Sequence, residues 1–212
     1  MVNFTIGHHS VKRMNFTHLN KLENKRVGII GAHSCGKTTL VNTLKKYVET
    51  NFISEIASKI PPDERLNLKS QLNILNMQIE EEKKYTSFIS DRTVIDNLAY
   101  FTLVKEKQLN NVLSEEEEKY LQIHYDVYSE HMNNVPYDII IFIDEILSLR
   151  PSPHRNFMST YEQAFVYLKM YDMLQTELDI LNFSLPVIYL SGNTRERLSI
   201  LNSALSTTLY KM

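Results

Sequence analysis

Residues 31–38 read GAHSCGKT, a complete G-x-x-x-x-G-K-[ST] pattern, and the segments on either side of it restrict the fold further. Val27, Gly28, Ile29 and Ile30 precede it, an apolar run rich in β-branched residues, as a strand buried on both faces requires. After it Leu40, Val41, Leu44, Tyr47 and Val48 recur at helical spacing over residues 38–50. Gly31 and Gly36 let the backbone between strand and helix curl. Successive N–H groups, those of His33, Ser34, Cys35 and Gly36 among them, then point inward at a polyphosphate. The helix that begins near Lys37 and continues through Thr39 turns its positive dipole end on the same anion. Lys37 is placed to reach the β- and γ-phosphates, and Thr38 to ligate Mg²⁺. Such a chain binds a nucleoside triphosphate.

The rest of the chain repeats the alternation of strand and helix. Residues 51–55 read as a second strand, 88–91 as a third, 138–144 (DIIIFID) as a fourth and 185–191 as a fifth. A helix is expected over residues 63–85, after the break at Pro61-Pro62, and two more near 94–107 and 114–133. The last of these opens with a capping-box signature at Ser114 and Glu117. Further helices are expected over 159–181 and 194–205. This order predicts an α/β chain, a three-layer fold with a five-stranded parallel sheet between helices. Residues 25–212 form that domain. Residues 1–24 are an N-terminal extension that matches no element of it and reads as an extra strand or a flexible arm. The charge run at 80–84, EEEKK, reads as a solvated helix face.

Composition excludes several functions. A formal net charge of -2 argues against a general nucleic-acid-binding surface. No stretch is long and apolar enough to span a membrane, and the N-terminus lacks the apolar core of a signal peptide, so a cytoplasmic protein without membrane contact is expected. The single cysteine, Cys35, rules out an internal disulfide framework and a cysteine-based zinc site. His8-His9 read as solvated residues of the extension rather than metal ligands.

Ligands of a parallel sheet of this kind sit outside the carboxyl ends of its strands. Four stations join the phosphate loop there: Glu55, Asp91-Arg92, Asp144-Glu145 and Gly192-Asn193. Glu55 is a candidate base or acceptor-orienting carboxylate. Asp91 is a candidate to hold Mg²⁺ through water, while the Arg92 guanidinium reaches a phosphate with a bidentate fork. The plainer alternative is a surface glutamate, a helix-capping aspartate and an exposed arginine.

Residues 89–101, ISDRTVIDNLAYF, resemble the D-R-x-x-x-[DS]-x-x-A-Y signature of phosphate-loop nucleoside and nucleotide kinases. The segment is similar to thymidylate kinases and closer to small AAA-labelled kinase-like ATPases related to nicotinamide-riboside kinases. Asp91, Arg92, Asp96, Ala99 and Tyr100 match that second group. Asp96 stands where thymidylate kinases usually have serine, and Phe101 where they have glutamine. The resemblance covers residues 26–205, with Glu55 where related deoxynucleoside kinases carry a strand-two carboxylate, and VPYDIIIFID (135–144) like their fourth strand. It implies ATP-dependent phosphorylation of a small nucleoside-like acceptor, a nucleoside or a nucleoside monophosphate, with ATP and Mg²⁺ bound. It also implies a mobile helical lid at residues 146–158, where Arg150 and Arg155 of RPSPHRN close over the phosphates and exclude water. Asn193 falls where such kinases pass the chain beside adenine, and it also suits the N-cap of the last helix. Arg197 either stacks near the base or is solvated. A homodimer is compatible with all of this.

One rival account remains. Residues 139–145 also form an apolar strand ending in Asp144-Glu145, the Walker-B pattern of mechanical and switch ATPases. There Asp144 organises Mg²⁺ and Glu145 polarises water. The short chain, the lack of a recognisable arginine-finger or sensor region, and the Asp91-to-Tyr100 match favour the kinase. The acceptor itself depends on helix side chains such as Gln71, Gln78, Tyr100, Tyr125 and Tyr128.

Overall fold

A computed structural model of the 212-residue chain describes residues 16–108, 113–134, 137–147, 159–180 and 185–207. Five parallel strands form one sheet: β1 (Arg26–Ile30), β2 (Asn51–Ile53), β3 (Phe88–Asp91), β4 (Ile139–Ile143) and β5 (Val187–Leu190). Their order is β2-β3-β1-β4-β5. Six α-helices follow the strands: α1 (Lys37–Leu44), α2 (Leu68–Glu82), α3 (Val94–Gln108), α4 (Glu115–Asn134), α5 (Thr160–Ile180) and α6 (Thr194–Ser206).

The period-two alternation of buried strands builds a core on each face. Along β4, Ile140 and Phe142 pack with Leu75, Phe101, Val166 and Met170 of α2, α3 and α5. Ile139, Ile141 and Ile143 point the other way, toward Leu40, Leu44, Leu198 and Leu201 of α1 and α6. All five strand residues are buried, and each isoleucine removed from water stabilises the fold by about 2 kcal/mol. The three layers expected from the sequence are therefore formed. None of the described helices is long and apolar enough to cross a membrane.

Several boundaries differ from the sequence expectation for local reasons. Helix α1 ends at Leu44, where the N–H groups of Lys45, Tyr47 and Val48 close turns onto Val41 and Leu44. Helix α2 starts at Leu68 rather than residue 63, because Pro61-Pro62 impose turns and Asn67 caps the helix by accepting from the Ser70 N–H at 2.8 Å. Strand β2 stops at Ile53, so Glu55 lies beyond it, heading a one-turn 3₁₀ helix Ile56–Lys59. Residues 16–24 are neither strand nor free arm. They hold a 3₁₀ turn Leu19–Leu22 whose two leucines are fully buried, and the His18 N–H and Lys21 Nζ bond to Asn202 and the Leu205 carbonyl of α6. The charge run is split as well: Glu80 is exposed, whereas Glu82 is completely buried.

Candidate active site

Strands β3 and β4 flank β1, with Ile29 beside Asp91 and Ile30 beside Phe142, so the ends of both neighbours border the loop that leaves β1. In that loop Gly31, Ser34 and Gly36 take positive φ values of 150°, 63° and 95°. Alternating handedness of this kind turns successive N–H groups into one concavity. Gly36 is required twice over, by its φ and because a Cβ there would lie 2.8 Å from Arg197 Nη1. Helix α1 begins at Lys37 directly behind it. The Lys37 Nζ is folded onto the loop, donating to the Gly31 and Ala32 carbonyls at 2.7 and 2.8 Å. Cys35 contributes backbone: its thiol is buried, and its carbonyl accepts from Arg197 Nη1 at 2.8 Å. Thr39 is exposed at the cleft floor, and Ser34 lines the same cleft.

Thr38 and Asp91 meet directly, the hydroxyl donating to Asp91 Oδ2 at 2.6 Å. The other oxygen, Oδ1, is buried without a hydrogen-bond partner among the described residues. A hydroxyl and a carboxylate with an unmatched acceptor fit a Mg²⁺ ion held partly through its waters.

Arg92 is the most constrained residue of the site. It holds φ at +89°, a left-handed conformation that costs a non-glycine residue about 1–3 kcal/mol and marks functional sites when the surroundings enforce it. Its Nε donates to Glu55 Oε1 at 2.7 Å, Nη1 lies 3.6 Å from Asp96 Oδ1, and the guanidinium sits 4.9 Å over the Tyr100 ring. Nε is thus taken by Glu55, whereas Nη1 is buried with no hydrogen-bond partner among the described residues. Arg92 beside Glu55 holds that carboxyl down to about 2, against the opposing effect of its burial. Burial pushes Asp96 up to about 6, partly offset by the Arg92 charge. Asp96 also closes a capping box at the start of α3, accepting from the Thr93 N–H at 2.9 Å.

Two cavities share His33, Glu55 and Arg92 as a common wall. One lies over the phosphate loop and reaches Gly192, Asn193 and Arg197, with about 580 Å³ of space. The other, about 120 Å³, is a narrower slot between apolar side chains such as Ile74, Leu103 and Val104, with the amides of Gln71, Gln78 and Asn97 set among them. Asn193 caps α6, accepting from the Arg195 and Glu196 N–H groups, and lines the phosphate cleft at the same time. Of the residues named from the sequence, Tyr128 is buried in the core and Tyr125 is exposed, and neither lines these cavities. Arg150 and Arg155 lie outside the described residues.

The acids after β4 are engaged elsewhere. Asp144 accepts from the Tyr167 hydroxyl, and Glu145 pairs with Arg197 Nη2 at 2.5 Å. Arg197, buried, is neither solvated nor free for a base: it ties the loop carbonyl of Cys35 to the end of β4. Sequence reasoning missed Gln163 on α5, whose Nε2 donates to the His33 and Leu147 carbonyls at 2.6 and 3.0 Å. It also missed His124, stacked on Phe101 at 3.7 Å and bonded at 2.7 Å to the Asn97 amide oxygen. Burial pushes that imidazole down to about 3, so it stays neutral. The helical phase of α3 and α4 was a signal for the burial of Asn97 and His124, but not for their pairing across 27 residues.

A family described as an AAA domain matches residues 26–197. Deoxyadenosine kinase from M. mycoides with bound dATP superimposes with a TM-score of 0.66 at 16% identity, covering 86% of this chain and 100% of that one. The same enzyme with products dCMP and dCDP gives 0.62 at 17%, covering 85% and 97%. NadR in complex with NAD and AMP-PNP gives 0.61 at 18%, covering 93% of this chain and 54% of NadR, so the chain spans about half of that protein. No curated protein matches the chain by sequence. At these identities the structural likeness is one of fold, whereas the family match runs through most of the sequence, from β1 to the first turn of α6. The chain belongs to the AAA domain family and carries the phosphate-loop fold that it shares with deoxyadenosine kinase.

Proposed function

We propose that the protein is an ATP-dependent phosphotransferase that moves the γ-phosphoryl group of Mg·ATP to the hydroxyl of a nucleoside-like acceptor. The observation that carries this reading is the shared wall: Glu55 and Arg92 border both the phosphate cleft and the amide-bearing apolar slot. A hydrolase needs one cleft and a water, whereas two adjoining cavities with an ion pair between them suit a donor and an acceptor. The ligands of the structural relatives support it at the level of class, since deoxyadenosine kinase holds dATP or dCMP with dCDP and NadR holds NAD and AMP-PNP.

In this mechanism Lys37 leaves the Gly31 and Ala32 carbonyls for the β- and γ-phosphates, keeping its charge matched by oxygen atoms throughout. Thr38 and Asp91 hold Mg²⁺, which when bound neutralises the developing phosphate charge. Glu55, ionised at any physiological pH, accepts a hydrogen bond from the acceptor hydroxyl through the oxygen that Arg92 Nε does not occupy. It orients that oxygen for attack on the γ-phosphorus: the new O–P bond forms as the β,γ-bridging bond breaks and ADP leaves. In a loose transition state the hydroxyl proton is given up late, to an oxygen of the transferred phosphoryl group. Arg150 and Arg155 keep the role of closing over the phosphates.

Charge balance favours an uncharged nucleoside over a monophosphate as acceptor. Arg92 is set against Glu55 and Asp96, and Lys107 against Glu162. Arg65, which lines the slot and donates through Nε to the Ile60 carbonyl, is the third cation against those three carboxylates, so the charges sum to zero. The pairing of Thr38 with Asp91, and of Glu145 with Arg197, favours the kinase over the Asp144-Glu145 hydrolase.

The test is a panel of nucleosides and monophosphates with Mg·ATP, following ADP and phosphorylated product together, with Lys37→Ala as the inactive control. Stoichiometric ADP and nucleoside monophosphate are expected. Transfer only to monophosphates would overturn the acceptor assignment. Acceptor-independent ADP release, abolished by Asp144→Asn but not by Asp91→Asn, would replace the kinase with the hydrolase.

A further inference from the structure

Glu82, in the last turn of α2, is completely buried and lines neither cavity. Its Oε1 accepts from Gln78 Nε2 and from the Tyr137 hydroxyl, both at 2.7 Å, and its Oε2 meets His131 Nε2 at 2.8 Å. Because Oε1 already accepts from the Tyr137 hydroxyl, it is the amide nitrogen of Gln78, not its oxygen, that faces it. One N–H of that nitrogen goes to Glu82, and the other is shared between Ser90 Oγ at 3.0 Å and the Arg92 carbonyl oxygen at 3.4 Å. The two peptide groups that flank the Arg92 Cα are thereby both held, the following one through its carbonyl and the preceding one through the Arg92 N–H, which donates to the Ile29 carbonyl at 3.1 Å.

We propose that Glu82 and Gln78 are positioning residues that lock Arg92 in its left-handed conformation. Glu82, braced by Tyr137 and His131, dictates which way the Gln78 amide faces. Gln78 then anchors the Arg92 carbonyl, and the φ of +89° carries the guanidinium onto Glu55 and Tyr100. An apolar residue would fill the space of Glu82 and stabilise a core as well or better. What an accepting oxygen does there, and an apolar side chain does not, is forbid the flipped amide, which would also set oxygen against the Arg92 oxygen. The consequence for activity rests on the phosphotransferase reading, whereas the positioning itself does not.

The test uses the full chain labelled with ¹⁵N. The Arg92 Nε–H resonance is assigned by its loss in Arg92→Lys, and the Gln78 side-chain amide by its loss in Gln78→Met. Both are expected to be protected from water exchange in the wild-type protein. In Glu82→Leu no acceptor oxygen remains at that place, so the Gln78 amide is free to flip. Arg92 Nε–H exchange then rises at least tenfold, as it does in Gln78→Met. In the transfer assay both variants lower kcat at least tenfold with KM for ATP within twofold. A Gln78 amide that exchanges as freely as an exposed glutamine in the wild type overturns the inference even if both variants fail to fold. Unchanged Arg92 protection in a folded Glu82→Leu overturns it too. If the wild-type protein transfers nothing while the exchange pattern holds, the positioning stands and the phosphotransferase reading falls.

Discussion

Replacing Glu55 by glutamine removes a charge and almost no volume, and takes from Arg92 its nearest counter-ion. Removing one partner of a fully buried ion pair costs about 3–5 kcal/mol. Two features of this site reduce that figure. The Glu55 side chain is 27% exposed, so water screens part of the interaction, and Asp96 remains 3.6 Å from Arg92 Nη1. About 1–3 kcal/mol is the expected loss at pH 7. The titration of Glu55 supplies a second route to the same range. Its carboxyl is held at about 2 against 4.5 in the unfolded chain, a difference whose ceiling is about 3 kcal/mol before solvent screening.

The sign follows from linkage. A depressed carboxyl contributes its full stability above the unfolded value of 4.5 and loses it as pH falls toward about 2. The gap between wild type and Glu55→Gln should therefore be full at pH 7 and roughly halved by about pH 3. Asp96 works the other way, because the folded state keeps its proton up to about pH 6 and stability declines as the unfolded chain ionises first. That contribution is common to both proteins. Urea unfolding followed by far-UV circular dichroism from pH 7 to pH 3 measures the difference. A gap that stays flat across this range, or a variant as stable as wild type at pH 7, would refute the claim that Arg92 draws its stabilisation from Glu55.

Three further outcomes are expected. Asp91→Asn should weaken Mg²⁺-dependent binding of a fluorescent ATP analogue at least tenfold and leave binding in EDTA within twofold, because the Thr38 contact survives but the charge does not. Gly28→Ala should lower stability by about 1–3 kcal/mol in urea titrations, since a Cβ there falls 2.4 Å from Thr93 Cγ2 and 2.9 Å from Ile140 Cδ1. His124→Leu should leave the Asn97 amide oxygen without its imidazole partner at every pH, while Nδ2 keeps Gln71, costing about 1–3 kcal/mol. It should also flatten the stability curve between pH 6.5 and 4, because the wild-type unfolded chain gains a proton there that the buried imidazole, held at about 3, refuses.

The parts of the site legible in the sequence are those whose function is carried by the backbone or by immediate neighbours. The phosphate loop announces itself because its work is done by N–H groups in a fixed conformation, and glycine at 31 and 36 is the residue that permits it. The two-faced burial of β4 was equally plain, as an unbroken apolar run admits few other environments. Element ends were less legible, since Asn67 and Pro61-Pro62 compete for the start of α2 and only the packed structure decides. Arg92 was found by its motif, yet its partners were not. Its Nε meets Glu55, 37 residues earlier, and its Nη1 lies 3.6 Å from Asp96 Oδ1.

Glu82 shows where composition misleads and phase would have helped. Within EEEKK it reads as one more solvated charge, but it stands seven residues after Leu75 and three after Ile79, both buried, and so on the inward face of α2. Helical phase can therefore declare that Glu82 is inside, and an unpaired inward carboxylate must find donors. Phase alone cannot name them, because His131 and Tyr137 lie 49 and 55 residues away, on α4 and just before β4. A buried acid on a core face is thus a question the sequence poses and only the tertiary fold answers. Here the answer runs through Gln78 to the strained peptide of Arg92, which places a residue hidden in a charge run behind the wall that the two cavities share.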